Sequence, residues 1–140
     1  MVETLVVDCS VAAKWVLPEP GREVAIRLLE RYAAGEVHLI APDLLLSEFA
    51  SLVAKRHRRK QMTGEQALRA YALMVESAPE LVAVRPRIPL ALELAVRHQI
   101  SLWDAVYVAL AVEFGTQLVT ADRRLLRGGR TWHPVVRLLE

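Results

Sequence analysis

Cysteine is almost missing from this 140-residue chain. Cys9 stands alone, so no internal disulfide can form, and no Cys/His spacing fits a structural zinc site. That usage suits a reducing compartment. Aromatic residues make up 6% and glycine occurs six times. None of the glycines falls into the G-x-x-x-x-G-K-[ST] pattern that cradles nucleotide phosphates, which excludes nucleotide hydrolysis by that route. No apolar run approaches the ~20 residues that span a bilayer. The opening Met1-Val2-Glu3-Thr4-Leu5-Val6-Val7-Asp8 has no positive leader before its apolar stretch, so it does not read as a signal peptide. The expected location is the cytoplasm, with no membrane partner. Two further scarcities are chemical. Lysine occurs three times against fifteen arginines, and aspartate four times, at Asp8, Asp43, Asp104 and Asp122, against twelve glutamates.

What is present is a packed domain. The hydrophobic fraction is 54%, which argues against disorder, and a chain of this length buries about 68–70% of its unfolded surface as one domain, here residues 1–140. The net charge of +2 is too small to argue for a nucleic-acid partner by itself.

Short apolar runs alternate with helical patterns. Leu5-Val6-Val7 reads as a strand, and Val11 to Leu17 as a helix that Ser10 caps and Pro18 ends. Gly21 opens a second helix, closing at Gly35, and His38 to Ala41 reads as the next strand. Pro42 suits the first turn of a long helix reaching about Lys60. Thr63-x-x-Gln66 has the form of a capping box for a helix ending near Pro79. Leu81 to Val84 is a strand, Pro89 begins a helix through His98, and Ser101 begins another to Phe114. Gln117 to Thr120 is a strand, Asp122 to Leu126 a short helix, and Val135 to Leu138 a final strand. This alternation predicts an α/β fold with a mostly parallel sheet, whose chemistry sits beyond the carboxyl ends of the strands.

Four acids stand out against that frame. Asp8 follows the first strand and Asp122 nearly follows the fourth; each alone reads equally as a turn or cap residue. Asp104, in Ser101-x-x-Asp104, fits a capping box, and the same first-turn position keeps a carboxylate ionised through the helix dipole. Glu48 interrupts the apolar stripe of Leu44, Leu45 and Leu52, where an acid is costly to bury uncompensated. Together the four come from separate elements that a parallel sheet can gather at one edge. Carboxylates so gathered repel, and a hard divalent cation resolves the repulsion; all-oxygen ligation favours Mg²⁺ or Mn²⁺ over zinc.

The set Val6-Val7-Asp8-Cys9-Ser10, Glu48, Trp103-Asp104-Ala105-Val106-Tyr107 and Val119-Thr120-Ala121-Asp122 resembles the PIN domain, and within it the VapC-type toxins of toxin–antitoxin pairs. The likeness runs over nearly the whole chain, in order. It implies a PIN-like three-layer α/β/α domain with a five-stranded mostly parallel sheet in the order 3-2-1-4-5. It also implies a Mg²⁺- or Mn²⁺-dependent endoribonuclease acting on RNA, a small VapB-type antitoxin as partner, and a homodimer. By position, Asp8, Glu48, Asp104 and Asp122 match the family's acidic quartet, with Asp8, Asp104 and Asp122 toward metal and Glu48 toward metal or the attacking water. Ser10 and Thr120 match its supporting polar neighbours. Cys9, Ser51 and Trp103 stand where alanine, asparagine and tyrosine are frequent in the family.

The basic residues divide in two. Residues 55–60 close a helix and read as solvated cations at its C-terminus. Arg123, Arg124, Arg127 and Arg130 begin beside Asp122, and the first three are the candidates for holding substrate phosphate. His38, His57, His98 and His133 share no ligand spacing. Trp15 and Trp103 read as core or site wall. The apolar helix around Ala67 to Val75 offers surface for a second copy or an antitoxin. The rival readings are a non-catalytic PIN-like RNA-binding or regulatory module, and another metal-dependent phosphohydrolase such as a DNA nuclease.

Overall fold

The structure, a computed structural model, describes residues 2–126 and 135–139. Arg127, Arg130 and His133 lie outside the described residues. Five strands, β1 (Glu3–Val7), β2 (Val37–Pro42), β3 (Glu80–Val82), β4 (Leu118–Thr120) and β5 (Val136–Leu138), form one sheet in the order β3-β2-β1-β4-β5. Every pairing is parallel. The strand order therefore reverses at β1, whose neighbours are β2 on one side and β4 on the other. In such sheets the carboxyl ends flanking the reversal diverge and leave a crevice.

Six helices cover the two faces: α1 (Cys9–Val16), α2 (Arg22–Ala33), α3 (Leu44–Arg58), α4 (Gly64–Ser77), α5 (Ile88–His98) and α6 (Leu102–Glu113). The first four pack on one another, while α5 packs on α6, which in turn lies on β1, β2 and β4. The burial of α6 explains its composition. Ala105 through Ala111 are all buried, because this helix is sandwiched between the sheet and α5, and a helix enclosed on all sides must be apolar all round. The core runs through Leu5, Val6, Val7, Leu39 and Ile40 of the strands to Leu45, Phe49 and Val53 of α3.

Local signals and tertiary packing mostly agree. The capping box is present as expected: the Thr63 hydroxyl accepts from the Gln66 N–H, and the Gln66 side chain accepts from the Thr63 N–H. Pro42, expected in the first turn of α3, instead ends β2 paired with Val82. Its missing N–H is tolerated there because the ladder finishes, and the next amide, that of Asp43, donates to the Val82 carbonyl at 2.8 Å. The cap of α1 also differs from expectation. The accepting side chain is that of Asp8, not Ser10. Trp15 is buried, with Nε1 donating to the Ala25 carbonyl at 2.9 Å and so tying α1 to α2. Trp103, by contrast, is half exposed rather than core. At the end of α3, Arg56 pairs with Glu19, and Lys60 turns the chain in the left-handed region at φ 60°.

Candidate active site

Asp8 leaves the end of β1 directly into α1, in extended backbone, and its carboxylate is buried. The bonds it receives come from the first turn of α1 and from the end of β4. Oδ1 accepts from the Ser10 hydroxyl at 2.5 Å and the Val11 N–H at 3.3 Å. Oδ2 accepts from the Thr120 hydroxyl of β4 at 2.5 Å.

Because each hydroxyl has one hydrogen and spends it on Asp8, its lone pairs are left to accept. They accept from the loop after β4: the Ala121 N–H donates to Ser10 Oγ at 2.9 Å and the Asp122 N–H to Thr120 Oγ1 at 3.0 Å. Asp8 thus fixes, through two hydroxyls, the backbone that presents Asp122. Ser10 and Thr120 hold the places expected for them.

Glu48 projects from α3 and takes a short hydrogen bond from the buried Tyr107 hydroxyl of α6. Asp104 sits in the first turn of α6, where its N–H donates to the Ser101 hydroxyl at 3.1 Å. Its position near the positive end of the helix dipole favours the ionised form. Tyr107 lies three residues on from Asp104, on the same helical face. In the sequence, the only signal for Tyr107 is this three-residue spacing from Asp104.

The electrostatics join three of these acids. Burial pushes the Asp8 carboxyl up to about 6, against the opposing pull of the Ser10, Thr120 and Val11 bonds, and the charge of Asp104 adds to the rise. Glu48 is also raised, first by burial and further by the charges of Asp8 and Asp104, while the Tyr107 bond resists. Asp8, Glu48 and Asp104, from β1, α3 and α6, therefore share one field. The Cys9 thiol beside them is pushed upward by burial and by Glu48 and Asp8. That direction disfavours the thiolate, the form that ligates metal or acts as a nucleophile.

Asp122 is arranged differently. Arg124 forks onto both of its oxygens, with Nε 3.0 and 3.1 Å from Oδ1 and Oδ2 and Nη2 2.7 Å from Oδ2. The Arg124 N–H also donates to Oδ1 at 2.9 Å. Arg124 also feels the charge of Asp104, and the two line one small cavity. Of the expected phosphate-holding arginines, Arg124 in this arrangement clamps Asp122. Arg123 lines a cleft beside Ala121.

The donor set suits a hard divalent ion. It is made of carboxylate oxygens, and the burial that chiefly raises Asp8 and Glu48, with the like-charge repulsion that adds to it, is what a cation offsets. Among the described residues, no three His, Cys, Asp or Glu side chains are gathered closely enough to enclose an ion unaided. Mg²⁺ is compatible with that spacing, since it usually keeps several waters and takes one or two carboxylates directly.

Known proteins are similar to this chain in sequence and fold. The PIN domain family model matches residues 5–130. Ribonuclease VapC3 of Pyrobaculum aerophilum is 34% identical over 129 residues, covering 86% of this chain and 91% of that protein. VapC ribonuclease Mb0985 of Mycobacterium bovis is 32% identical over 134 residues, covering 94% and 95%. The crystal structure of VapBC2 from Rickettsia felis, bound to a DNA fragment from its promoter, shares the fold with a TM-score of 0.73 at 14% identity, covering 98% of this chain and 99% of that one. The chain belongs to the PIN domain family, in its VapC group.

Proposed function

We propose that the protein is a Mg²⁺- or Mn²⁺-dependent endoribonuclease that hydrolyses RNA phosphodiester bonds, and that it is the toxin of a type II toxin–antitoxin pair. The observation that carries this reading is the shared field of Asp8, Glu48 and Asp104 at the carboxyl edge of β1. Relatives named as ribonucleases support it. So does a toxin–antitoxin complex from Klebsiella pneumoniae, which shares the fold with a TM-score of 0.62.

In this reading Asp8, Asp104 and Asp122 would hold the ion, directly or through water, with Arg124 competing for the Asp122 oxygens. When bound, the ion supplies charge neutralisation at the phosphate and a readily deprotonated water. Glu48 accepts the proton of the attacking water. One of its oxygens is held by Tyr107, and burial with the charges of Asp8 and Asp104 raises its pKa above the ordinary glutamate value, the direction that makes it a better proton acceptor. The Ser10 and Thr120 hydroxyls keep the Asp8 oxygens aimed, and their own lone pairs hold the Asp122 loop. The partners are RNA, a VapB-type antitoxin and a second copy of the chain. No helix among the described residues is long and apolar enough to cross a membrane, and we place the protein in the cytoplasm.

The test is cleavage of single-stranded RNA by the purified chain. Activity should need Mg²⁺ or Mn²⁺, stop with EDTA, and vanish in folded Asp8→Asn and Asp104→Asn variants. RNA binding without cleavage would instead favour a non-catalytic module. Preference for flap or single-stranded DNA in the same assay would favour a DNA nuclease.

A further inference from the structure

A cleft with a basic rim leads away from the acidic site along the α2 and β5 side of the molecule. One cavity, about 390 Å³, is bordered by Arg27 and Arg31 of α2 and Arg137 of β5, over a floor that includes Val24, Leu28 and Leu138. A second, about 370 Å³, is bordered by Lys14, Ala121 and Arg123. The two share Val24, Leu138 and Leu139, so they form one continuous depression. Its near end is Ala121, the residue whose N–H is held by Ser10 beside Asp122.

The register explains the convergence. Arg137 pairs with Val119 in the sheet, and both face the cavity, while Arg27 and Arg31 lie four residues apart on one face of α2, ~5–6 Å between β-carbons.

The charges there are poorly matched within the chain. Among the described residues, no acid lines either cavity. Arg31 has Glu36 at 3.7 Å, on an exposed flank. Among the described residues, Arg27 and Arg137 make no ion pair and no side-chain hydrogen bond. Three guanidiniums bordering one space repel each other, and an array of anions relieves that repulsion. The arginine fork matches phosphate oxygens in particular. The other basic cluster, at the end of α3, is differently placed, since its Arg56 is already bound to Glu19.

We propose that this cleft carries the RNA strand flanking the scissile bond, with Arg27, Arg31 and Arg137 holding successive backbone phosphates. The proposal rests on the ribonuclease reading above for the identity of the strand. A nucleic acid is favoured over an acidic protein because the near end of the depression is lined by Ala121 and Arg123, the two residues that flank Asp122, so a strand cut beside Asp122 has this depression next to it.

The test replaces all three arginines by glutamine in the full-length chain. All three are exposed, and a thermal melt checks the fold. A matching triple lysine variant keeps the charge. Binding of a fluorescent single-stranded RNA of roughly 20 nucleotides is followed in EDTA from about 50 to 200 mM salt. Each phosphate contact on a single strand contributes about 0.7 to the slope of log K against log salt, so the glutamine variant should lose about 2 from that slope, and its binding defect should shrink roughly 20-fold from 50 to 200 mM salt. The lysine variant should keep most of the slope. Cleavage of a dinucleotide, too short to enter the cleft, should be unchanged.

An unaltered slope would overturn the proposal, and so would loss of dinucleotide cleavage in step with the longer RNA. Retained RNA binding with loss of binding to an acidic peptide such as poly-glutamate would overturn it in favour of a protein partner. A wild-type chain that binds RNA through these arginines yet cuts none would uphold the cleft and defeat the nuclease reading alone.

Discussion

Replacing Asp8 by asparagine should make the ion-free protein more stable at neutral pH while destroying its activity. The carboxyl titrates at 3.8 in its ordinary state and at about 6 in the folded protein. Between those values the folded state binds the extra proton, so stability falls as pH rises from about 4 to about 6, and the deficit persists above. At 1.36 kcal/mol per pH unit, the ionised Asp8 costs about 3 kcal/mol at pH 7.5. An asparagine removes the charge and can keep the network. Its Oδ1 still accepts from Ser10 and Val11, and its Nδ2 donates to Thr120 Oγ1, whose hydrogen turns toward Ser10 Oγ, 3.3 Å away. At roughly 3 °C per kcal/mol for a chain of this size, Asp8→Asn should melt up to about 10 °C above wild type in EDTA at pH 7.5, with no gain at pH 4. Mn²⁺ should raise the wild-type midpoint and leave that of the variant in place. The assay is a series of thermal melts from pH 4 to 8, with and without the ion. A variant that melts at or below wild type at pH 7.5 in EDTA, while matching it at pH 4, would refute the claim that Asp8 is held ionised at a cost to the fold.

Other consequences can be checked separately. Tyr107→Phe removes the donor to the charged form of Glu48, so the Glu48 pKa should rise and the acid limb of the pH profile of kcat/KM should move to higher pH. Thr120→Val takes a donor from Asp8 and leaves the Asp122 N–H without its acceptor. Urea melts at pH 7.5 should show a loss of about 2–3 kcal/mol, with Thr120→Ser restoring most of it. Arg124→Gln frees both Asp122 oxygens from a competing cation; the melting temperature should not change, and the Mn²⁺ concentration giving half-maximal cleavage should fall severalfold. Phe49→Ala empties a fully buried position next to Glu48 and should cost about 3–5 kcal/mol.

Much of the architecture was legible because local and tertiary preferences coincide. Thr63 and Gln66 cap α4 whether or not anything packs on it, and the all-apolar stretch from Ala105 to Ala111 leaves α6 no place but the interior. Pro42 was misplaced because a proline suits a strand's last rung as well as a helix's first turn, and only the pairing with Val82 decides between them. The acids could be read from their positions at element ends. Asp8 invited two readings, a helix cap or a ligand, and the structure shows it capping α1 while lying in the field of the other acids. What the chain order hid was the set of contacts between residues far apart. Tyr107 with Glu48 is separated by 59 positions and Thr120 with Asp8 by 112, and no periodicity encodes such meetings. The rim of Arg27, Arg31 and Arg137 was hidden for the same reason, since it exists only after α2 and β5 are brought side by side.

The reversal of strand order at β1 bears on how such a protein can be restrained. Asp8, Glu48 and Asp104 stand on a helix cap, inside a helix and in a helix's first turn, so the proposed reactive centre is part of the skeleton. Distorting it would mean breaking an element whose other side is core. A centre fixed in this way is armed as soon as the chain has folded. Restraint falls to something that fills the space, whether a partner's side chain or the lack of an ion, and lifting it requires no refolding.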